Sequence, residues 1–170
     1  MKIKLFRNID HHSWHSSLAL PKVNIIKKAI EKSISTACGD RFNNLSFSLS
    51  CVFMDSVKIT KYNSEYRKKK QSTDVLSFPE FDFSLNKWEE WFLTSKAKCF
   101  YLGDILISYQ NVIEDAKYMQ WNPADRVVHL IIHSTLHLLG FDHIEEDDRI
   151  VMEGLEIDIL ASIGIENPFC

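Results

Sequence analysis

His133, His137 and His143 stand in the run HSTLHLLGFDH, with Gly140 between the second and the third. Residues four apart lie one turn above each other on the same face of a helix. His133 and His137 can therefore present two imidazole nitrogens to one point in space. Gly140 sits where a residue that tolerates positive φ can end the helix and reverse the chain, swinging His143 back toward that point. Three neutral imidazoles leave a fourth tetrahedral position free, the pattern of a catalytic rather than a structural zinc site. Zinc held this way lowers the pKa of water toward about 7 and polarises an oxygen under attack.

The spacing is shared with zinc peptidases, but Ser134 stands where the H-E-x-x-H kind carries its glutamate base. A zinc peptidase or similar zinc hydrolase is disfavoured on that ground. A carboxylate from elsewhere, or the substrate, must then supply the proton acceptor. Asp142, beside the third histidine, is a candidate for orienting a ligand imidazole through its outer nitrogen. Asp104, in Leu102-Gly103-Asp104-Ile105, is a further acid, for which a strand-end or turn role is the commoner explanation. Histidines beside leucines on a helix are often packed, hydrogen-bonded side chains. The third histidine and the glycine in register are what favour a metal here. His129 shares the helix face but has no turn to bring it in, so it reads as support or packing. His11, His12 and His15 read as a solvated surface cluster.

The elements that must position these residues follow from periodicity. Ile3 and Leu5 alternate with Lys2, Lys4 and Phe6 in a short strand ending near Asn8-Ile9-Asp10. Pro21 can open a helix in which Val23, Ile26, Ala29, Ile30, Ile34 and Ala37 fall at helical spacing, with Gly39 as its stop. Leu45 to Phe53 alternates as a half-buried strand, and Met54 to Tyr66 reads as a turn plus a short helix. Asp74 to Pro79 is a compact strand stopped by its proline. Glu80 to Lys98, with Trp88 and Trp91, has no steady period and reads as a loop or insertion with some helix. Tyr101 to Ser108 reads as a strand. Helical patterns then cover Tyr109 to Gln120, Pro123 to Leu139 and Glu145 to Ile163. Asn122-Pro123-Ala124-Asp125 is a strong start for the second of them. No repeat or linker interrupts this order. The expectation is one α+β domain over residues 1–170, with about four strands packed against helices and the histidine site at the end of a helix in the C-terminal half.

Composition narrows the partners. A 170-residue chain that is 45% hydrophobic and 25% charged can bury a core of its own and is not a disordered polymer. The net charge of −3 gives no global attraction for nucleic acid, so any polyanion site must be a local patch. Cys38, Cys51, Cys99 and Cys170 form no C-x-x-C pair, which fits a reducing cytosol rather than a disulfide framework. The N-terminus carries no signal-peptide pattern, and no apolar run approaches the roughly 20 residues of a membrane span. The expected location is the cytoplasm.

The densest positive run is Arg67-Lys68-Lys69-Lys70, just before Ser72-Thr73-Asp74. Taken alone, such a run is a solvated loop. Arginine can also make bidentate bonds to a phosphate, with lysines adding point charges. A metal site facing an arginine would suit phosphodiester hydrolysis.

Taken together, the blocks resemble the YbeY family of metal-dependent endoribonucleases, bacterial ribosomal RNA maturation factors. Asn63-Ser-Glu-Tyr66-Arg67 with Ser72-Thr73-Asp74-Val-Leu-Ser-Phe-Pro79 is similar to its N-x-x-[YW]-R…P-T-[DN]-V-L-S-F-P segment. Leu102-Gly103-Asp104-Ile105-Leu-Ile-Ser108 is similar to its L-G-D-I-x-I-S strand, and His129 to His143 carries its histidine signature. The resemblance runs from about Leu45 to the C-terminus. It implies one zinc ion on His133, His137 and His143, and Arg67 in contact with RNA phosphate. It implies cleavage of single-stranded RNA, 3′-end maturation of small-subunit ribosomal RNA, ribosome quality control, and a mixed sheet. Ribosomal RNA, the small subunit and ribosomal proteins are the implied partners. Two residues depart from the pattern. Ser134 replaces a glycine, and Ser72 replaces a proline, which frees a rigid φ in the basic loop.

Substrate choice would then rest on shape and on aromatics that stack on bases, for which Tyr66, Tyr101 and Phe141 are candidates, each equally able to be core. A rival of another class is a non-catalytic ribosome-assembly factor with structural zinc. That reading needs a fourth protein ligand, and nothing at the motif's spacing supplies one.

Overall fold

The computed structural model describes residues 1–15, 17–81 and 94–169. Four strands, β1 (Lys2–Ile9), β2 (Ser46–Met54), β3 (Val75–Pro79) and β4 (Cys99–Ser108), form one sheet in the order β1-β2-β4-β3. β1 pairs with β2 and β2 with β4 in parallel, while β3 runs antiparallel to β4, so the sheet is mixed as expected. Among the described residues five α-helices accompany it: α1 (Val23–Cys38), α2 (Ser56–Arg67), α3 (Tyr109–Tyr118), α4 (Pro123–Leu138) and α5 (Glu146–Ile163). The architecture is α+β.

Side-chain alternation divides the sheet into two faces. On one face Phe47, Leu49, Cys51 and Phe53 of β2 join Phe100, Leu102, Ile105 and Ile107 of β4 in the main core. Ile26, Ile30 and Ile34 of α1 close over them, fully buried. Burying each such side chain contributes roughly 1.5–3 kcal/mol. α4 is covered on most of its circumference, from Val127 to Leu138, which explains why its sequence is apolar on more than one stripe. The opposite face carries a smaller cluster of Met54, Ile59, Leu76 and Leu106 beneath α2.

Two departures from the sequence reading matter for the site. β2 extends through Met54 and passes straight into α2, with Asp55 alone as the cap: its carboxylate accepts from the Lys58 amide at 2.7 Å. The helix ends where Lys68 turns to φ +58°, so Arg67 is the last residue of a twelve-residue helix rather than part of a loop. A short 3₁₀ turn, His12–Trp14, which periodicity did not reveal, buries Trp14 completely and points its indole N–H at the Met54 carbonyl, 3.0 Å away. That bond pins the end of β2 from which α2 departs.

β4 carries one extra residue opposite β2, between the pairs Ser48↔Tyr101 and Ser50↔Asp104. Gly103 occupies the irregularity at φ +136°, and a Cβ there would run into the Phe78 carbonyl. The glycine lets β3 lie close against β4, and β3 is a wall of the cleft described next. Residues 82–93, with Trp88 and Trp91 and most of the segment read as a loop or insertion, lie outside the described residues.

Candidate metal centre

α4 sets two of the three histidines. Asn122 caps it by accepting from the Ala124 amide at 2.9 Å, and Pro123 opens the first turn, as its sequence predicts. The helix ends at Leu138, and Gly140 follows at φ +90°. The Phe141 amide reaches back to the Leu136 carbonyl at 3.1 Å, closing the reversal. The chain then returns His143 to the His133–His137 pair. Ligand nitrogens of the three rings all lie within 4.8 Å of one another. In a tetrahedral zinc site such nitrogens stand about 3.3 Å apart. His133 and His137 are half-buried and His143 is exposed, so the cluster opens toward solvent on one side.

Hydrogen bonds determine which ring nitrogens are free. His137 Nδ1 lies 2.9 Å from the Phe141 carbonyl, which can only accept, so Nδ1 carries the proton and Nε2 the lone pair. His133 Nδ1 lies 2.7 Å from Glu156 Oε1, which makes its Nε2 the lone-pair nitrogen as well. The two Nε2 atoms face each other at 3.0 Å. Two lone pairs at that distance repel unless a cation lies between or beside them, so this donor set fits a metal ion. Burial, and then the neighbouring His133, hold the His137 pKa down at about 4, which keeps the ring in the neutral form a metal requires.

Glu156, on α5, was not singled out from the sequence. It is buried and accepts from two histidines, His133 at 2.7 Å and His129 Nε2 at 2.8 Å. Burial alone would raise its pKa. The two hydrogen bonds and the electrostatic attraction of His133 and His129 together outweigh that and bring it down to about 2. His129, by contrast, is held below its ordinary value by burial. Its Nδ1 takes a bond from Arg126 Nη1 at 3.0 Å, and Arg126 Nη2 is gripped by Asp74 and Asp115 at 2.7 Å each. A signal for Glu156 was present: on α5 it occupies the buried stripe of Met152, Ile159 and Leu160, where an apolar residue is expected.

A cleft of about 470 Å³ runs between α2, β3, α4 and α5 and includes all three histidines, Arg67 and Glu156. Arg67 and His137 also border a smaller recess of about 180 Å³ beside Phe141 and Asp142. The Arg67 charge is felt at His137, adding to the depression of its pKa. Arg67 and Lys68 to Lys70 are all exposed, and Arg67 and Lys69 line the cleft. Asn63, buried beneath them, donates its side-chain amide to the Gln71 carbonyl at 2.8 Å, while its backbone carbonyl accepts from the backbone amides of Lys68 and Lys69. The basic run is thereby shaped rather than free. Ser72 restrains the loop in a different way from a proline, by donating to Asn111 Oδ1 at 2.6 Å.

Other candidates take different places. Asp142 accepts from the Ile144 amide at 3.0 Å, a turn contact, while the outer nitrogens of His133 and His137 are held by Glu156 and Phe141. Asp104 accepts from the Tyr101 phenol at 2.9 Å on the sheet face opposite α4. Burial and then that bond raise the Tyr101 pKa to about 12. Phe141 packs on the main core, and Tyr66 is 59% exposed, its ring edge on Phe78. His12 and His15 are exposed, and His11 is half-buried near Tyr109. Ser134 is fully buried, and its hydroxyl has no hydrogen-bond partner among the described residues. No helix among the described residues is long and apolar enough to cross a membrane.

The chain is similar to known proteins over most of its length. The family model described as endoribonuclease YbeY matches residues 9–164. Endoribonuclease YbeY of Caldicellulosiruptor bescii is 40% identical over 140 residues, covering 82% of this chain and 88% of the relative. Its counterpart from Finegoldia magna is 39% identical over 137 residues, covering 80% and 82%. The solution structure of TM1509 from Thermotoga maritima shares the fold, at a TM-score of 0.52 and 16% identity over 94% of this chain and 91% of that one. A family model spanning nearly the whole chain, together with relatives at this identity, leads to one conclusion: the chain belongs to the YbeY family of endoribonucleases, enzymes that hydrolyse RNA.

Proposed function

We propose that residues 1–170 work as one zinc-dependent endoribonuclease domain in the cytoplasm. In this reading it cuts single-stranded RNA during 3′-end maturation of small-subunit ribosomal RNA and in ribosome quality control. The small subunit and its proteins are the partners. The observation that carries the reading is the meeting of Arg67 with three convergent histidines around one open cleft. Curated relatives named for endoribonuclease activity support the reaction class.

His133, His137 and His143 would hold the ion through their ring nitrogens. When bound, zinc supplies Lewis acidity toward a phosphate oxygen and makes water acidic near neutral pH. Arg67 holds the phosphate by charge-assisted, bidentate bonds and stabilises the charge that builds on it. Lys68 to Lys70 steer the backbone without reading sequence. A cleft of about 470 Å³ is ligand-sized. It takes one or two splayed nucleotides rather than two paired strands, with Tyr66 exposed to stack on a base.

The test compares one RNA oligonucleotide alone and annealed to its complement, with zinc-loaded protein. The single strand should be cut at least about tenfold faster. Equal rates would remove strand selection from the reading. Zinc binding and ribosome binding without any cutting would favour a non-catalytic assembly factor.

A further inference from the structure

Between Arg126 and His133 the hydrogen bonds have a direction, set by a donor-only guanidinium at one end and an ionised Glu156 in the middle. Arg126 is donor-only, so His129 Nδ1, 3.0 Å from Arg126 Nη1, must accept. The neutral His129 ring then carries its proton on Nε2 and donates to Glu156 Oε2 at 2.8 Å. Glu156 accepts on both oxygens, its Oε1 accepting a hydrogen bond from His133 Nδ1–H at 2.7 Å. What remains on His133 is the Nε2 lone pair, facing His137 Nε2 and its neighbour His143. The start of the chain is fixed too, because Asp74 and Asp115 both grip Arg126 Nη2. Asp74 lies at the head of β3 and also accepts from the Val75 amide at 2.8 Å, which ties the orientation to the sheet.

We infer that Arg126, His129 and Glu156 are positioning residues that lock His133 in the tautomer a metal needs, through a polarised chain of hydrogen bonds anchored at Asp74. This rests on the metal-site reading above, and it adds what orients the first ligand. Neither Arg126 nor His129 has to touch the ion for its donor pattern to matter.

Glutamate is required at position 156 because it is the only residue of its shape that can accept from both sides. In Glu156→Gln the amide oxygen must face His129, whose donor end Arg126 dictates. The amide NH₂ then faces His133 Nδ1, which must become an acceptor. The His133 proton moves to Nε2, where the ion should bind. Adding Arg126→Met releases His129, which can take the opposite tautomer and let the amide turn over. The His133 lone pair is thereby restored. A second substitution that improves zinc binding by more than Arg126→Met does in the wild-type background, where only the lost positive charge acts, is the signature of a polarity lock, and loss of packing cannot produce it.

Zinc affinity of the full-length chain is measured by competition with a chromophoric chelator at pH 7.5, with circular dichroism to check folding. Expected are a 10- to 100-fold loss in Glu156→Gln, partial recovery in Glu156→Gln/Arg126→Met, and affinity within about threefold of wild type in His129→Gln. The last variant keeps an acceptor toward Arg126 and a donor toward Glu156. Wild-type affinity in Glu156→Gln, or a double variant no tighter than the single one, overturns the inference. Long-range ¹H–¹⁵N spectra of the zinc-free wild-type chain decide it independently of any variant. Protons on His129 Nε2 and His133 Nδ1 are expected, and a His133 Nδ1 that carries no proton overturns it. Should wild type bind no zinc at all, the metal reading fails, while the tautomers still report on the chain of bonds.

Discussion

His137 couples the stability of the fold to acid. Its pKa of about 4 in the fold lies below the ordinary 6.5, with burial as the first cause. A base that protonates more readily when unfolded stabilises the fold fully above pH 6.5, and that contribution is lost as pH falls toward 4. Glu156 acts in the same direction in a lower window, since its carboxyl is depressed from 4.5 to about 2. Its contribution is complete above pH 4.5 and fades toward pH 2. The metal-stripped chain should therefore lose on the order of 1–3 kcal/mol between pH 7 and pH 4, and more below that. Denaturant titrations at stepped pH measure this, and a flat profile would contradict the burial argument. Ser134 supplies the opposite kind of test. Its buried hydroxyl lacks a partner among the described residues. Ser134→Ala should leave stability unchanged or raise it by up to about 1 kcal/mol, read as the shift in denaturant midpoint.

At the scale of elements, the irregularity in β4 decides how closely β3 approaches. Gly103→Ala would combine an unfavourable φ of +136° with a collision against the Phe78 carbonyl. A loss of about 1–3 kcal/mol or more is expected from the backbone alone. Since β3 walls the cleft, weaker zinc or RNA binding should accompany it. A midpoint within error of wild type would mean the strand pair adjusts freely. What the sequence made legible follows the same local logic. α4 was readable because Asn122 and Pro123 mark its start and Gly140 its reversal, and these local signals also set the three histidines. Arg67 was legible as a phosphate-binding type, and the helix expected to end at Tyr66 runs one residue further, because the left-handed stop falls on Lys68 at φ +58°, a residue with no turn signal of its own. Glu156 and Arg126 were missed because their partners come from other elements: Glu156 bonds His133, 23 positions away, and Arg126 bonds Asp74, 52 positions away. Periodicity within one helix carries no trace of such pairings. Trp14 escaped for a related reason, since its partner, the Met54 carbonyl, lies on another strand's end.

On the scale of the whole molecule, a chain of net charge −3 must bind a polyanion through local charge. Arg67 and Lys68 to Lys70 are exposed together, with Arg67 and Lys69 lining the cleft. RNA affinity should fall steeply with salt, with a log–log slope of about −2 to −3 for three or four phosphate contacts on a single strand. Replacing Lys68, Lys69 and Lys70 by alanine should reduce that slope by about 2 and leave the rate on saturating RNA nearly unchanged. Fluorescence anisotropy across a salt series gives the slope, and an unaltered slope would move the RNA path elsewhere. The central division of labour, histidines for the ion and Arg67 for the phosphate, is tested most directly by one paired measurement. Zinc content and single-strand cleavage are determined on the same preparations of wild type, His137→Ala and Arg67→Ala. His137→Ala should lose both zinc and cutting. Arg67→Ala should keep its zinc and lose about 10²–10³-fold in rate. Equal residual cutting in all three, or full cutting by Arg67→Ala, would contradict it.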